Sequence, residues 1–271
     1  LPRRRRRTSS SMPRCRSGAI ETLGAKHAAK TVLTAAQRGA RRGRLCIVAP
    51  SPGGAGHGAL SRMNALLVVA HPSMASFSHA MAARALRTLD GKGCRCSLHD
   101  LYAERFDPVQ PVVESANAAS CDALVEQHCA ELGAADLILV FHPNWWSQPP
   151  AILKGWIDRV FRLNTAYAYP AGAGYDGVPV GLLKARHALV FPIEREREVF
   201  GDPLESLWRR SVFALCGVGS VIRRTYGPMA SSAAGQRQDW LAEVQALVEH
   251  AAQPNVAADV QAAASPPVAR R

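Results

Sequence analysis

Long apolar runs are missing from this sequence: no stretch of about 18 apolar residues occurs, so no membrane-spanning helix is expected. Regular cysteine spacing is missing too. Cys15, Cys46, Cys94, Cys96, Cys121, Cys129 and Cys216 are odd in number and contain no Cys-x-x-Cys, which argues against a disulfide framework and suits a reducing cytoplasm. Cys121, His128 and Cys129 are neighbours, but a second ligand pair at zinc spacing is absent, so no metal is expected and buried or surface thiols are the simpler reading. Acids are scarce at the start: residues 1–62 hold 14 Lys and Arg beside one acid, Glu21. The net charge of +12 therefore belongs to this extension, and the rest of the chain is near neutral. That argues against a nucleic-acid surface on the folded part. An apolar stretch behind the opening arginines is also lacking, which argues against a secretory signal. Without sustained periodicity, residues 1–62 read as a disordered basic extension, and Met63 as a candidate true start.

From Met63 the text changes. Residues 65–70 are apolar on both faces, the mark of a buried parallel strand. Phe77, Met81, Ala85 and Leu89 recur every four residues and predict a helix closed by Gly91 and Gly93. Residues 94–102 read as a strand, 115–132 as an Ala-rich helix and 136–141 as a strongly apolar strand. Pro149-Pro150 opens a helix whose stripe is Ile152, Leu153, Trp156, Ile157, Val160 and Phe161. Residues 164–183 read as a long loop, 187–192 as a strand, 203–216 as a helix and 220–226 as a strand. Residues 236–251 close the series as an amphipathic helix built on Trp240, Val244, Leu247 and Val248, and the chain from 253 onward reads as a disordered tail. Alternation of this kind predicts one α/β domain over residues 63–252, a five-stranded parallel sheet with helices on both faces. The flavodoxin-like order 2-1-3-4-5 fits five such strands and places a ligand beyond their carboxyl ends.

Two segments fall at those ends. Residues 70–80, AHPSMASFSHA, join strand 1 to its helix, where free N–H groups attract phosphate and Ser76, Ser78 and His71 add donors. This loop lacks the Gly-rich dinucleotide fingerprint, and Ser is a common helix cap in any case. Residues 141–161, FHPNWWSQPPAILKGWIDRVF, place Trp145 and Trp146 side by side in a polar loop after a buried strand. Flat apolar walls with backbone donors at their edge suit a flat aromatic cofactor.

The string PAILKGWIDRVF, residues 150–161, resembles the hallmark of the DT-diaphorase-like NAD(P)H:quinone oxidoreductases, which include drug-activity modulators and potassium-efflux ancillary proteins. AHPSMASFSHA resembles their first flavin-binding loop, and the likeness extends over about residues 63–251. It implies FAD or FMN as cofactor, NAD(P)H as co-substrate, a quinone-class acceptor and a homodimer. By matched position it implies that His71, Ser76, Phe77 and Ser78 meet the phosphate-bearing chain, and that Pro143, Asn144, Trp145, Trp146 and Ser147 meet the isoalloxazine ring. Tyr167 and Tyr169 resemble tyrosines near the quinone site, often across a dimer interface. No side chain is required as a nucleophile. One segment departs from the family: strand 4 runs into Glu194-Arg195-Glu196-Arg197-Glu198 where a Thr/Gly-rich loop is usual, and Phe200 stands where better-known members have His. Arg195 or Arg197 is a candidate replacement cation, against the plainer reading of a solvated charged helix face. That departure motivates an alternative function, an ancillary subunit of a membrane transporter with weak or no catalysis.

Overall fold

The computed structural model describes residues 62–115, 120, 122–172, 177–196 and 201–253. The extension before residue 62, the tail beyond 253, Cys121, Arg197 and Phe200 lie outside these residues.

Five strands form one parallel sheet: β1 (Asn64–Val69), β2 (Arg95–Asp100), β3 (Leu137–Pro143), β6 (His187–Ile193) and β7 (Ser220–Arg223), in the order β2-β1-β3-β6-β7. Counting these five alone gives 2-1-3-4-5, as the alternation predicts. β1, β3 and β6 are apolar along both faces because both faces are covered, and all seven residues of β3 and of β6 are buried. Even-numbered Leu66, Val68, Ile138, Val140 and Val190 point to one side, odd-numbered Leu67, Val69, Leu139, Phe141 and Phe191 to the other.

On the odd side pack α1 (Phe77–Gly91), through Met81, Ala85 and Leu89, and α6 (Ala234–Ala251), through Val244 and Val248. On the even side pack α3 (Ala123–Ala134), through Val125, Cys129 and Leu132, and α4 (Ala151–Val160), through Leu153, Trp156 and Val160. The helix expected over 115–132 is instead a short α2 (Val112–Ser115) and then α3. Asp122 sets the later start, since its carboxylate accepts the Leu124 N–H at 3.0 Å. Within the expected loop 164–183, β4 (Tyr167–Ala168) pairs antiparallel with β5 (Val180–Gly181).

The helix expected over 203–216 is α5 (Pro203–Ser206) followed by a π-helical stretch, Leu207–Ala214. The five-residue hydrogen-bond period turns Trp208 and Phe213 to one side, where their rings stack at 5.7 Å, both fully buried. The charged run after β6 is not a helix where it is described. Glu194 bonds through its N–H to the Tyr226 carbonyl, and the Glu194 and Arg195 carbonyls accept the Met229 and Ala230 N–H groups.

Candidate functional site

Parallel strands all end at one edge, and there the β1–α1 loop and the β3–α4 loop meet. The Ala70 N–H donates to the Phe141 carbonyl at 3.0 Å, Asn144 N–H donates to Ile193 at 2.7 Å, and the His71 and Trp145 rings lie 6.3 Å apart. This crest gathers His71, Ser76, Phe77, Ser78 and Pro143–Ser147 from segments 65 or more residues apart.

On the first loop, Ser76 is extended and caps α1, its Oγ accepting the His79 N–H at 3.3 Å. The Phe77 and Ser78 amides occupy the first helical positions, which have no partner within the helix. The Ser78 hydroxyl is fully buried and also without a partner, an orphaned donor at the same helix end. The Phe77 ring turns away and packs edge-on against Trp240 of α6, 5.9 Å between centroids, so Phe77 offers the crest its backbone only. The Ser73 N–H donates to His71 Nδ1 at 3.0 Å, which leaves the proton of the neutral ring on Nε2. Burial, reinforced by the nearby His79, holds His71 below the usual histidine range.

On the second loop, Trp145 and Gln148 exchange two backbone hydrogen bonds at 3.0 Å each. Between them Trp146 and Ser147 both take positive φ, 55° and 56°. That is a two-residue turn of the I′ kind, which favours Asn and Gly. Holding a tryptophan there stores strain, and the ring it presents is 98% exposed. Trp145 is 40% exposed beside it. Asn144 Oδ1 is buried without a partner. The base of the turn is rigid: His142, fully buried, accepts from Trp208 Nε1 at 3.1 Å and lies 2.9 Å through Nδ1 from the Pro143 carbonyl. Burial pushes its pKa down to about 4, so the ring is a neutral linchpin and both nitrogens are satisfied.

Tyr167 and Tyr169 are not brought to this crest. The chain leaves it at Pro150, runs down the ten residues of α4, about 15 Å, and reaches the tyrosines at the opposite edge of the sheet. There Ala166 accepts from Leu182, and Leu183 bonds to Cys216 ahead of β7. The two tyrosine rings meet edge-on at 6.2 Å, and Tyr167 borders a cavity of about 390 Å³ with Phe161, Arg162 and Leu215. Arg195 is exposed at the crest.

Two pairs escaped the sequence reading. His79 Nε2 meets Asp100 Oδ2 at 2.9 Å; the spacing Ser76-x-x-His79 is a local signal for the contact between those two, but nothing local points to Asp100 on β2. The bond from Trp208 to His142 had no local signal, being a contact across 66 residues.

Away from the crest, His99, Glu104 and His128 bring metal-type ligand atoms within 4.8 Å of one another. Their polar contacts run in a line, in which His128 Nε2 and Glu104 Oε2 approach at ion-pair distance without a hydrogen bond. Trp156 Nε1 donates to His128 Nδ1 at 2.9 Å, so His128 carries its proton on Nε2, 3.4 Å from Glu104 Oε2. Glu104 Oε1 then meets His99 Nδ1 at 2.8 Å, and His99 Nε2 meets Glu131 at 2.5 Å. A histidine ligating through Nε2 normally donates from Nδ1, whereas His128 Nδ1 accepts, and the His99–Glu131 and His99–Glu104 bonds brace β2 against α3 and the segment that follows β2.

The flavodoxin-like fold family model matches residues 63–250. A guinea pig (Cavia porcellus) NAD(P)H dehydrogenase [quinone] 1 is 37% identical over 142 residues, 45% of this chain and 50% of that protein. The chain thus spans about half the length of that curated relative. An uncharacterized NAD(P)H oxidoreductase of Haemophilus influenzae is 32% identical over 174 residues, 61% of this chain and 84% of that one. Among solved structures, Smu.1420 from Streptococcus mutans UA159 superposes with a TM-score of 0.62 at 27% identity, covering 69% of this chain and all of that one. On this fold, this crest and these relatives, the chain belongs to the flavodoxin-like fold family, on the branch that carries the NAD(P)H oxidoreductases.

Proposed function

We propose that the chain is a flavin-dependent NAD(P)H oxidoreductase that reduces quinones or similar acceptors by two electrons. The single observation that carries the reading is the crest itself, where a helix N-terminus with a buried, partnerless Ser78 hydroxyl stands beside a strained turn displaying Trp145 and Trp146. These residues fit a flavin. The Phe77 and Ser78 amides, with Ser76 and His71, would hold the phosphate arm of FAD or FMN against the positive end of α1. Trp145 and Trp146 would wall the ring, with the Pro143–Ser147 backbone and the Asn144 carboxamide at its polar edge. When bound, the flavin supplies hydride acceptance from NAD(P)H and hydride donation to the acceptor. The chain's own groups bind, orient and exclude water, and the neutral His142 keeps the floor of the turn fixed without taking a proton.

The active unit in this reading is residues 63–252, working as a homodimer in which Tyr167 and Tyr169 of one copy complete the acceptor site of the other. Their distance from the crest of their own chain supports this. So do the exposed apolar Val180, Leu182 and Leu215 around the β4–β5 ribbon. Free Cys94, Cys96, Cys129 and Cys216 support a reducing compartment, the cytoplasm. No helix among the described residues is long and apolar enough to cross a membrane.

The test is an absorbance and fluorescence titration of purified protein with FAD and FMN, then anaerobic NADPH and NADH, then a soluble quinone. Saturable binding near one flavin per chain, bleaching by a nicotinamide and recovery of colour on adding quinone are expected. Folded protein that binds neither flavin overturns the reading.

A further inference from the structure

At the phosphate end of the crest, Ser76 heads a line of three side chains, and the functional reading uses neither of the other two, His79 and Asp100. His79 is 8% exposed, and its ring spans from Ser76 Oγ, 2.8 Å from Nδ1, to Asp100 Oδ2, 2.9 Å from Nε2. Asp100 is fixed in turn, because its other oxygen accepts the Tyr102 and Ala103 amides at 3.2 Å. A carboxylate only accepts, so Nε2 carries a proton whether the ring is neutral or charged. The state of Nδ1 then decides what Ser76 can do. With a neutral ring, Nδ1 accepts and the Ser76 hydroxyl proton is turned inward to it. With a charged ring, Nδ1–H donates to Ser76 Oγ. The His79 amide already donates there at 3.3 Å, so both lone pairs are taken and the hydroxyl proton is free to point outward.

We propose that Ser76, His79 and Asp100 form a proton relay that makes His79 a positioning residue for the flavin's phosphate arm: an anion arriving at the α1 N-terminus draws a proton onto His79 and so releases the Ser76 hydroxyl to donate to it. The proposal rests on the flavin reading and adds to it which group takes up the proton and which bond that frees. The titratable groups that face His79 are Asp100 from β2 and His71 from the β1–α1 loop, whose ring lies edge-on at 6.5 Å. Asp100 accepts from Nε2 whether or not the ring holds the added proton. His71 does not compete for it, since burial disfavours its charged form. The proton comes from solvent, no covalent bond changes, and linkage makes the coupling reciprocal: protonation tightens phosphate binding as much as phosphate favours protonation.

The experiment is calorimetric titration of flavin-free full-length protein with FAD, FMN and riboflavin at about pH 7–8, where the FMN phosphate is mostly dianionic (its second pKa is about 6). Buffers of different ionisation enthalpy report the protons taken up. Uptake of a sizeable fraction of one proton is expected with FAD or FMN and none with riboflavin, which lacks the phosphate. FAD affinity should rise by up to about tenfold per pH unit as pH falls. His79→Gln should bind FAD without uptake and without pH dependence, and Asp100→Asn should show reduced uptake. In unsubstituted protein, ring ¹⁵N shifts of His79 should move to the imidazolium pattern on adding FAD, a readout that needs no variant to fold. Flavin binding with no proton uptake, uptake that persists in His79→Gln, or ring shifts that stay put overturn the relay and leave the flavin reading standing. Binding of none of the three flavins overturns both.

Discussion

At the scale of single residues, Trp146 is the clearest case of local structure working against stability. A bulky aromatic at φ 55° costs about 1–3 kcal/mol, and a side chain 98% exposed returns no burial to offset it. The account assigns that cost to presenting a flat wall for a flavin. Trp146→Asn suits the turn, so the variant should be more stable by about 1 kcal/mol, raising Tm by about 2–4 °C. Flavin affinity should fall by about tenfold or more, the loss of one stacked aromatic face. Thermal melts and a flavin titration on the same preparation check both halves, and a variant that loses stability without losing affinity contradicts the assignment.

Two buried histidines set opposite limits of pH stability. Burial holds His142 near pKa 4, while the unfolded chain titrates near 6.5. Its contribution is therefore complete above about 6.5 and is lost as pH falls toward 4, up to about 3 kcal/mol in all. Burial also opposes charge on His99, but Glu104 and Glu131 outweigh it and raise the pKa. That contribution is complete below about 6.5 and is lost as pH rises through the raised value. Urea unfolding across about pH 5–9 should show greatest stability near neutrality. His99→Gln should flatten the alkaline limb and leave the acid limb in place; an alkaline limb of unchanged slope would contradict the brace.

At the scale of elements, α4 is held by close approach as much as by its stripe. A Cβ on Gly155 would lie 2.3 Å from the Pro108 carbonyl oxygen and Cβ, so the helix rests directly on the 106–111 loop. Arg159, one turn on, fastens the same loop through the Asp107 carbonyl at 2.7 Å and the adjoining α2 through Glu114 at 2.7 Å. Gly155→Ala should therefore cost about 1–3 kcal/mol or more by displacing backbone, although Ala is the better helix former. Chemical denaturation measures it, and a gain in stability would contradict the packing.

The elements that were legible in the sequence are those whose signal is local. Continuous apolar runs announced β1, β3 and β6, and a four-residue period announced α1 and α4. The start of α3 was obscured because Ala-rich text before Asp122 has the same propensity as the helix itself. The π-helical stretch is hidden in the sequence, where Leu204, Trp208 and Val212 are spaced as an α-helix would space them. The stack of Trp208 on Phe213 that decides otherwise depends on a tertiary pocket. The β4–β5 ribbon has two residues per strand, too short for any alternation to register.

At the scale of the whole molecule, the sheet order alone carries the loops of β1 and β3 to one place, which is why much of the candidate site could be placed by motif and strand count. What could not be placed was direction: the Phe77 ring leaves the crest for Trp240, and Tyr167 and Tyr169 stand a helix length away. If a second copy brings those tyrosines to the crest, Tyr167→Ala with Tyr169→Ala should raise the quinone KM severalfold while flavin affinity stays within about twofold, and the active species in sedimentation should be a dimer. A fully active monomer would contradict the shared site.

The central claim is that the crest between His71 and Trp145 seats a flavin. Fluorescence titration of FAD and of FMN with purified, folded protein tests it most directly. The account predicts saturable quenching near one flavin per chain, weakened about tenfold or more in Trp145→Ala. Unquenched flavin at saturating protein, with the native fold intact by circular dichroism, would contradict it.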